Sequence, residues 1–239
     1  GSPRLTDLRP LLAATETLTV ATSIANVWRY GAAQMAAEWE ALEREFPGRV
    51  LAGIGAGHPE QDGDYSKPFS AVSEYLDSLD EAGQPPPERR LLAALAPRMI
   101  DLATSRAAGS IPYFVPAGHT RFSRQRLGEG PLLAPEMACV LEGDPGRARA
   151  KARDFAKLYL GLTNYRKAVL RGGFAEGDLE GGGSDRMIDA VVPQGSAEQV
   201  AAAARAHLEA GADHVALQPV ATDGLPRAEW TALAAALIA

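Results

Sequence analysis

His58 follows the glycine-rich stretch Gly53-Ile54-Gly55-Ala56-Gly57. It is the residue whose type and place together suggest proton chemistry. An imidazole titrates near neutrality and can donate a hydrogen bond to a bound ring or shuttle a proton. Its alternative role is to order the loop by bonding to backbone. A second candidate segment, Ser23-Ile24-Ala25-Asn26, follows a β-branched run and offers short polar groups. A third, Ala96-Pro97-Arg98-Met99, reads as the start of a helix directly after a strand. Backbone N–H groups at such a start suit an anion, a phosphate above all, and Arg98 adds charge. The same residues also suit an ordinary proline-initiated helix. Gln218 ends the last strand-like run. Trp28, Tyr30 and Tyr65 sit where they could wall a pocket or meet a partner, and the run from Tyr159 to Tyr165 with Phe174 adds an apolar patch.

Together these are polar, mostly uncharged groups with one histidine and some aromatics. The set suits a flat heteroaromatic ligand better than a hydrolytic centre. Several chemistries lack their residues. A Schiff-base mechanism needs a strand-end lysine, and none of Lys67, Lys151, Lys157 and Lys167 occupies one. A serine elbow of the G-x-S-x-G type is absent, as is a carboxylate pair for glycoside chemistry. Convergent metal-ligating histidines are not evident either. His207 and His214 read as structural, and His119 opens a polar helix where it could approach a ligand's edge.

The elements that must position these groups alternate between strand and helix. Strands are expected over 18–22, 50–54, 90–95, 111–115, 136–141 and 214–218. Helices are expected over 8–14, 31–46, 68–80, 97–107, 119–127, 144–160, 196–210 and 226–239. Proline at helix starts, Pro47-Gly48 and Gly211 at helix ends, and the capping box from Ser196 to Gln199 set the boundaries. Residues 164–183 read as irregular and glycine-rich apart from a helical piece near 165–170, within an insertion over 161–195. Strands apolar on both faces, each followed by a helix, imply a parallel sheet with its ligand at the carboxyl ends. A doubly wound sheet and an eight-stranded barrel lacking two strands both fit. The dinucleotide fingerprint fails, because His58-Pro59 and a polar loop follow Gly53-x-Gly55-x-Gly57 instead of a helix. The barrel fits better.

At 239 residues and 46% hydrophobic the chain makes one domain with a sizeable core. A net charge of -6 without a basic cluster argues against nucleic acid. The lone Cys139 cannot form an internal disulfide and reads as a small buried strand residue. No apolar run approaches a membrane span. With no visible signal peptide, a cytoplasmic protein is expected.

The stretches LTVATSIANVW (18–28), GRVLAGIGAGHPE (48–60), RRLLAALAPRMIDLA (89–103), IPYFVPAGHT (111–120), GPLLAPEMACVL (130–141), the run 164–192 and GADHVALQ (211–218) resemble the luciferase-like monooxygenase superfamily. Within it they are most similar to the deazaflavin (coenzyme F420)-dependent oxidoreductases. The resemblance covers about 5–221 and implies a (β/α)8 TIM-type barrel, commonly a homodimer, that holds reduced flavin or its 5-deaza analogue at the strand ends. It implies that Ser23, Ile24, Ala25 and Asn26 line the ring, in a segment that often contains a non-proline cis bond in relatives. Gly57 and His58 would lie beside the ring or its ribityl chain. Ala96, Pro97, Arg98 and Met99 would meet the phosphate, and Gln218 the cavity floor. Relatives typically carry glycine where Ala96 stands. They also carry about two further βα units, roughly 60 residues, before Leu5, so this barrel is expected to lack its first two units. The implied activity is hydride transfer between coenzyme F420 and a small organic substrate, with His58 as proton donor. FMN-dependent monooxygenation is a second reading. A non-catalytic barrel remnant that binds a ligand or partner is a third. No metal is implied.

Overall fold

The computed structural model describes residues 4–60, 66–222 and 224–238. Tyr65 lies outside them. The described chain is α/β, and it divides into two compact units. The first takes in residues 1–111 and 129–131, the second residues 112–128 and 132–239.

In the first unit a 3-10 turn (Leu5–Leu8) and helix α1 (Arg9–Ala13) lead to strands β1 (Val20–Ala21) and β2 (Ala25–Asn26). Helix α2 (Ala32–Glu45) follows. Its buried Met35, Trp39 and Leu42 recur at spacings of four and three, the stripe an amphipathic helix must bury. A full burial of such a side chain contributes about 1.5–3 kcal/mol. Strand β3 (Val50–Gly55) is buried along nearly its whole length. Helix α3 (Pro68–Ala82) starts on its proline and stops at Gly83, which takes the left-handed conformation (φ 71°). Strand β4 (Arg90–Leu92), helix α4 (Pro97–Arg106) and strand β5 (Gly109–Ser110) complete the unit. All pairings are parallel: β1 and β2 each against β3, β3 against β4, and β4 against β5.

The second unit contains helix α5 (Ala117–Leu127), strands β6 (Leu132–Leu133) and β7 (Glu136–Leu141), and helices α6 (Pro145–Leu160), α7 (Thr163–Arg171) and α8 (Asp185–Val191). Strand β8 (Gln194–Gly195), helix α9 (Ala197–Glu209), strand β9 (Ala216–Pro219) and helix α10 (Arg227–Ile238) follow. Strand β7 lies between β8 and β9, parallel to both. Met137 and Cys139 of β7 pack with Val200, Ala204 and Leu233, with Leu141, Val215 and Leu217 against them. Cys139 is fully buried, which pushes its thiol up to about 12.

Three local readings change. The strand expected over 111–115 is only Gly109–Ser110, followed by a single parallel bridge from Tyr113 to Glu136. Pro112 and Pro116 have no N–H to offer a ladder, and Phe114 between them is left-handed (φ 51°). The stretch read as irregular is largely helical: α7, a 3-10 segment (Glu176–Gly182) and α8. Ser184 caps α8 by accepting from the Met187 N–H, and Met187, Ile188 and Val191 bury one face. The strands β2, β6 and β8 are two residues long, too short to show a period of two.

Candidate functional site

In the first unit, chain ends from β1, β2 and β3 are fastened into one rim. Thr22 at the end of β1 is buried, and its hydroxyl donates to the Gly53 carbonyl at 2.9 Å and accepts from the Gly53 N–H at 3.0 Å. The Ser23–Ile24 peptide bond is cis. Strand β2 then pairs Ala25 with Ile54 and Asn26 with Gly55. The Val27 N–H donates to the Gly55 carbonyl at 3.0 Å, and Trp28 Nε1 donates to the Ala56 carbonyl at 2.6 Å.

Glycine is required in this strand for close approach. A Cβ on Gly53 would stand 1.8 Å from the Thr22 carbonyl oxygen, inside any contact distance. One on Gly55 would meet Ile24 Cδ1 and Ala93 Cβ, each at 2.9 Å. The glycine-rich run is thus a packing device at these two positions, and only Gly57 (φ 67°) is there for its backbone conformation.

The structure gathers Ser23, Ile24, Ala25 and Asn26 with Gly55 and Ala56, and leads through Gly57 to His58. Ser23 is exposed, Ile24 half-buried, and Ala25 and Asn26 are buried. Asn26 Oδ1 accepts from the Trp28 N–H at 2.9 Å, and its carbonyl accepts from Arg29 and Tyr30 at 3.0 Å each. Gly57 and His58 are half-buried. Tyr30, expected to wall a pocket or meet a partner, is buried and serves the fold. Its hydroxyl donates to Glu38 at 2.7 Å. Burial works against the Glu38 charge, but donors from Tyr30, Arg4, Gln34 and the Thr6 N–H outweigh it and hold the carboxyl down to about 2.

Helix α4 presents its start on the same unit. Ala96 is the N-cap with extended backbone, and Pro97 opens the helix. Ala96 and Arg98 are exposed, Pro97 and Met99 half-buried. The Met99 N–H already donates to the Ala96 carbonyl at 3.0 Å. The Arg98 guanidinium lies 4.1 Å from the centre of the Phe69 ring, which holds it beside this helix start.

Gln218 lies in the second unit, on β9. Its Oε1 accepts from the Tyr113 hydroxyl at 2.7 Å, and the Tyr159 hydroxyl lies 3.4 Å from that of Tyr113. The Tyr113, Tyr159 and Tyr165 rings meet edge to face at 5.3–6.2 Å. Sequence reasoning missed this grouping, because Tyr113 and Gln218 stand 105 residues apart. It also missed Thr22, whose only signal is a hydroxyl at the last position of the β-branched run. His119 and His207 are both buried inside the second unit, so His119 does not reach an exposed edge. The Thr120 hydroxyl meets His207 Nδ1 at 2.8 Å, and Ser123 Oγ meets His119 Nδ1 at 3.3 Å. Burial, with His119 nearby, lowers His207 to about 4.

Among the described residues no group of three His, Cys, Asp or Glu side chains could hold a metal ion. No helix among them is long and apolar enough to cross a membrane.

Solved structures with this fold share little sequence with the chain. An F420-dependent secondary alcohol dehydrogenase, solved with an F420–acetone adduct, is 14% identical with a TM-score of 0.69. That match covers 90% of this chain and 78% of the other. The coenzyme F420-dependent tetrahydromethanopterin reductase from Methanopyrus kandleri is 15% identical with a TM-score of 0.64, covering 96% and 84%. Monooxygenase RslO1 from Streptomyces bottropensis is 15% identical with a TM-score of 0.60, covering 98% and 79%. Among curated proteins none matches. The family model described as luciferase-like monooxygenase matches residues 10–214. That is most of the chain, and the protein belongs to the luciferase-like monooxygenase family.

Proposed function

We propose that this protein is an oxidoreductase that works with a deazaflavin, coenzyme F420, seated on the rim of the first unit. Two of the structures similar to it are named as F420-dependent enzymes. The observation that carries the reading is the fastening of Ser23–Asn26 to Gly55–Ala56 by backbone bonds, with His58 two residues beyond. A rim built from backbone and small side chains leaves a flat ring room to approach, as the neutral donor set requires.

The residues present fit such a group. Ser23, Ile24, Ala25 and Asn26 would border the ring, and Gly57 and His58 its side chain or edge. Arg98 and the α4 start, with Ala96, Pro97 and Met99, would receive the phosphate. The methyl of Ala96 and the engaged Met99 amide leave Arg98 as the main contributor there. When bound, a deazaflavin supplies a two-electron hydride carrier. The chain's own work is to present one face, exclude water and hold a proton at the His58 imidazole. In this reading the fold is of the (β/α)8 type, incomplete, and the protein works as a homodimer on a small organic molecule.

FMN-dependent monooxygenation is the second reading, favoured by the likeness to RslO1. A non-catalytic, ligand-binding barrel is the third, favoured by Ala96 at the phosphate position. Fluorescence titration of the protein with oxidised deazaflavin and with FMN separates the three. Tight binding of the deazaflavin alone is expected. Preference for FMN moves the protein to monooxygenase chemistry, and binding of neither leaves the non-catalytic reading. Sedimentation showing only monomer at micromolar concentration removes the dimer.

A further inference from the structure

Helix α10 is apolar on more sides than its unit covers. From Trp230 to Ile238 it has no charged residue. Of that stretch Leu233 alone is buried, packed with Met137, Cys139, Val200 and Ala204. A helix that is hydrophobic all round needs cover on every side. Away from Leu233, Trp230 is 46% exposed and Ile238 84%, with the exposed Ala234 between them and Leu237 at 37% beside them. Spacings of four set Trp230, Ala234 and Ile238 in one row along the helix, and the exposed Arg227, seven before Ala234, shares it. An exposed apolar row of this kind marks an interaction surface. Arg227 is the one basic residue of α10, whereas a helix lying on a membrane carries several Lys or Arg along its polar face. The row therefore suits a protein partner.

The row is its own complement. A two-fold axis through Ala234 runs two copies of α10 antiparallel, so Ala234 meets Ala234 and Trp230 meets Ile238 of the other copy. The small centre lets the two backbones approach, and a row at spacings of four is the ridge used in the commonest helix pairing. Arg227 at the start of one helix then lies toward the C-terminal carbonyls of the other, where the helix dipole favours a cation. No like charges face each other across the axis. Twelve residues make a helix about 18 Å long. Its exposed half offers on the order of 400 Å² per copy, roughly 800 Å² in the pair, the size of a weak, exchanging interface.

We propose that two copies of this chain associate through α10, antiparallel about Ala234. The inference rests on the functional reading only for the homodimer, whose interface it names, and is independent of the redox chemistry. The test is sedimentation of the full chain from about 1 to about 100 µM, where a weak interface of this size populates. The wild type is expected to show a monomer–dimer equilibrium. Ala234→Glu sets two carboxylates against each other on the axis and should weaken association about thirtyfold. Ala232→Glu, exposed on the other side of the same helix, should leave it unchanged. Disulfide trapping gives a second measure, because facing Cβ atoms on the axis come within disulfide reach and the native Cys139 is fully buried. Under mild oxidation Ala234→Cys should cross-link about tenfold faster than Ala232→Cys. Should Ala234→Glu fail to fold, the cysteine pair decides. A wild type that stays monomeric to about 100 µM overturns the proposal together with the homodimer, and leaves the face to another segment or protein. A dimer that Ala234→Glu leaves intact, or equal cross-linking of the two cysteine variants, overturns the proposal alone and puts the dimer's interface elsewhere.

Discussion

The first unit builds its candidate site from main chain, the second from side chains. Around Ser23–Asn26 and Gly53–His58 the fastening bonds run between peptide groups, with Thr22, Asn26 and Trp28 as the side chains that help. Around Tyr113, Tyr159 and Gln218 the side chains meet through phenols, an amide and aromatic rings, beside the backbone pairing of Tyr113 with Glu136 and of Gln218 with Ala138. A main-chain site holds its shape through most substitutions but fails where a Cβ cannot fit. A side-chain site tolerates backbone adjustment but depends on each functional group and its protonation.

The largest effect should come from the main-chain site. Gly53→Ala would put a methyl 1.8 Å from the Thr22 carbonyl oxygen, where Gly53 is paired with Leu91 and the buried Thr22 is tied to Gly53 through its hydroxyl. Overpacking of this kind costs about 3 kcal/mol. Urea unfolding should show that loss, and deazaflavin affinity should fall with it. A variant as stable as the wild type would mean that the rim is loose, and the contrast between the units would go.

The second unit should answer to protons instead. His207 is buried beside Thr120 and lowered to about 4, so its neutral form is the one that fits the fold. The unfolded chain binds that proton near 6.5, so stability is full above 6.5 and drains as pH falls toward 4. The loss is about 3 kcal/mol by linkage. The carboxyls of Glu38 and Glu142, both held down to about 2, lose their contribution at lower pH. The window between 6.5 and 4.5 therefore belongs to histidine. Urea midpoints across that window should drop for the wild type and flatten for His207→Gln. An equal slope in both would place the titrating group elsewhere.

What the sequence disclosed follows the same division. Strands and helices long enough to show a period were legible, as with the buried run of β3 and the Met35–Trp39–Leu42 stripe. The parallel α/β class came with them. The main-chain site was legible as a place, because glycines and short polar residues mark it. Why Gly53 and Gly55 must be glycine was not, since that depends on Thr22 and Ile24 from another strand. The phenol cluster was illegible for the same reason on a longer scale: tyrosines read as apolar mass until the fold sets Gln218 beside Tyr113. The helical nature of 163–191 was hidden by its glycines, although Ser184-Asp185 is an ordinary helix-start signal.

Two smaller effects sharpen the reading of the first unit. His58→Ala should lower turnover about 100-fold, the usual scale for losing a positioned proton donor, while deazaflavin affinity changes little. Equal loss of affinity and rate would make His58 a cofactor ligand instead. Arg98→Ala should be milder. The guanidinium is exposed and steadied by Phe69, so its attraction for a phosphate is screened by water and salt, and a threefold to fivefold weakening (about 1 kcal/mol) is expected. The informative measurement compares FMN with riboflavin, which has the same ring but no phosphate. Only FMN binding should weaken in Arg98→Ala, and the difference should shrink as salt rises. If riboflavin weakens equally, Arg98 supports the ring side of the rim through Phe69, and the start of α4 is not where the phosphate sits.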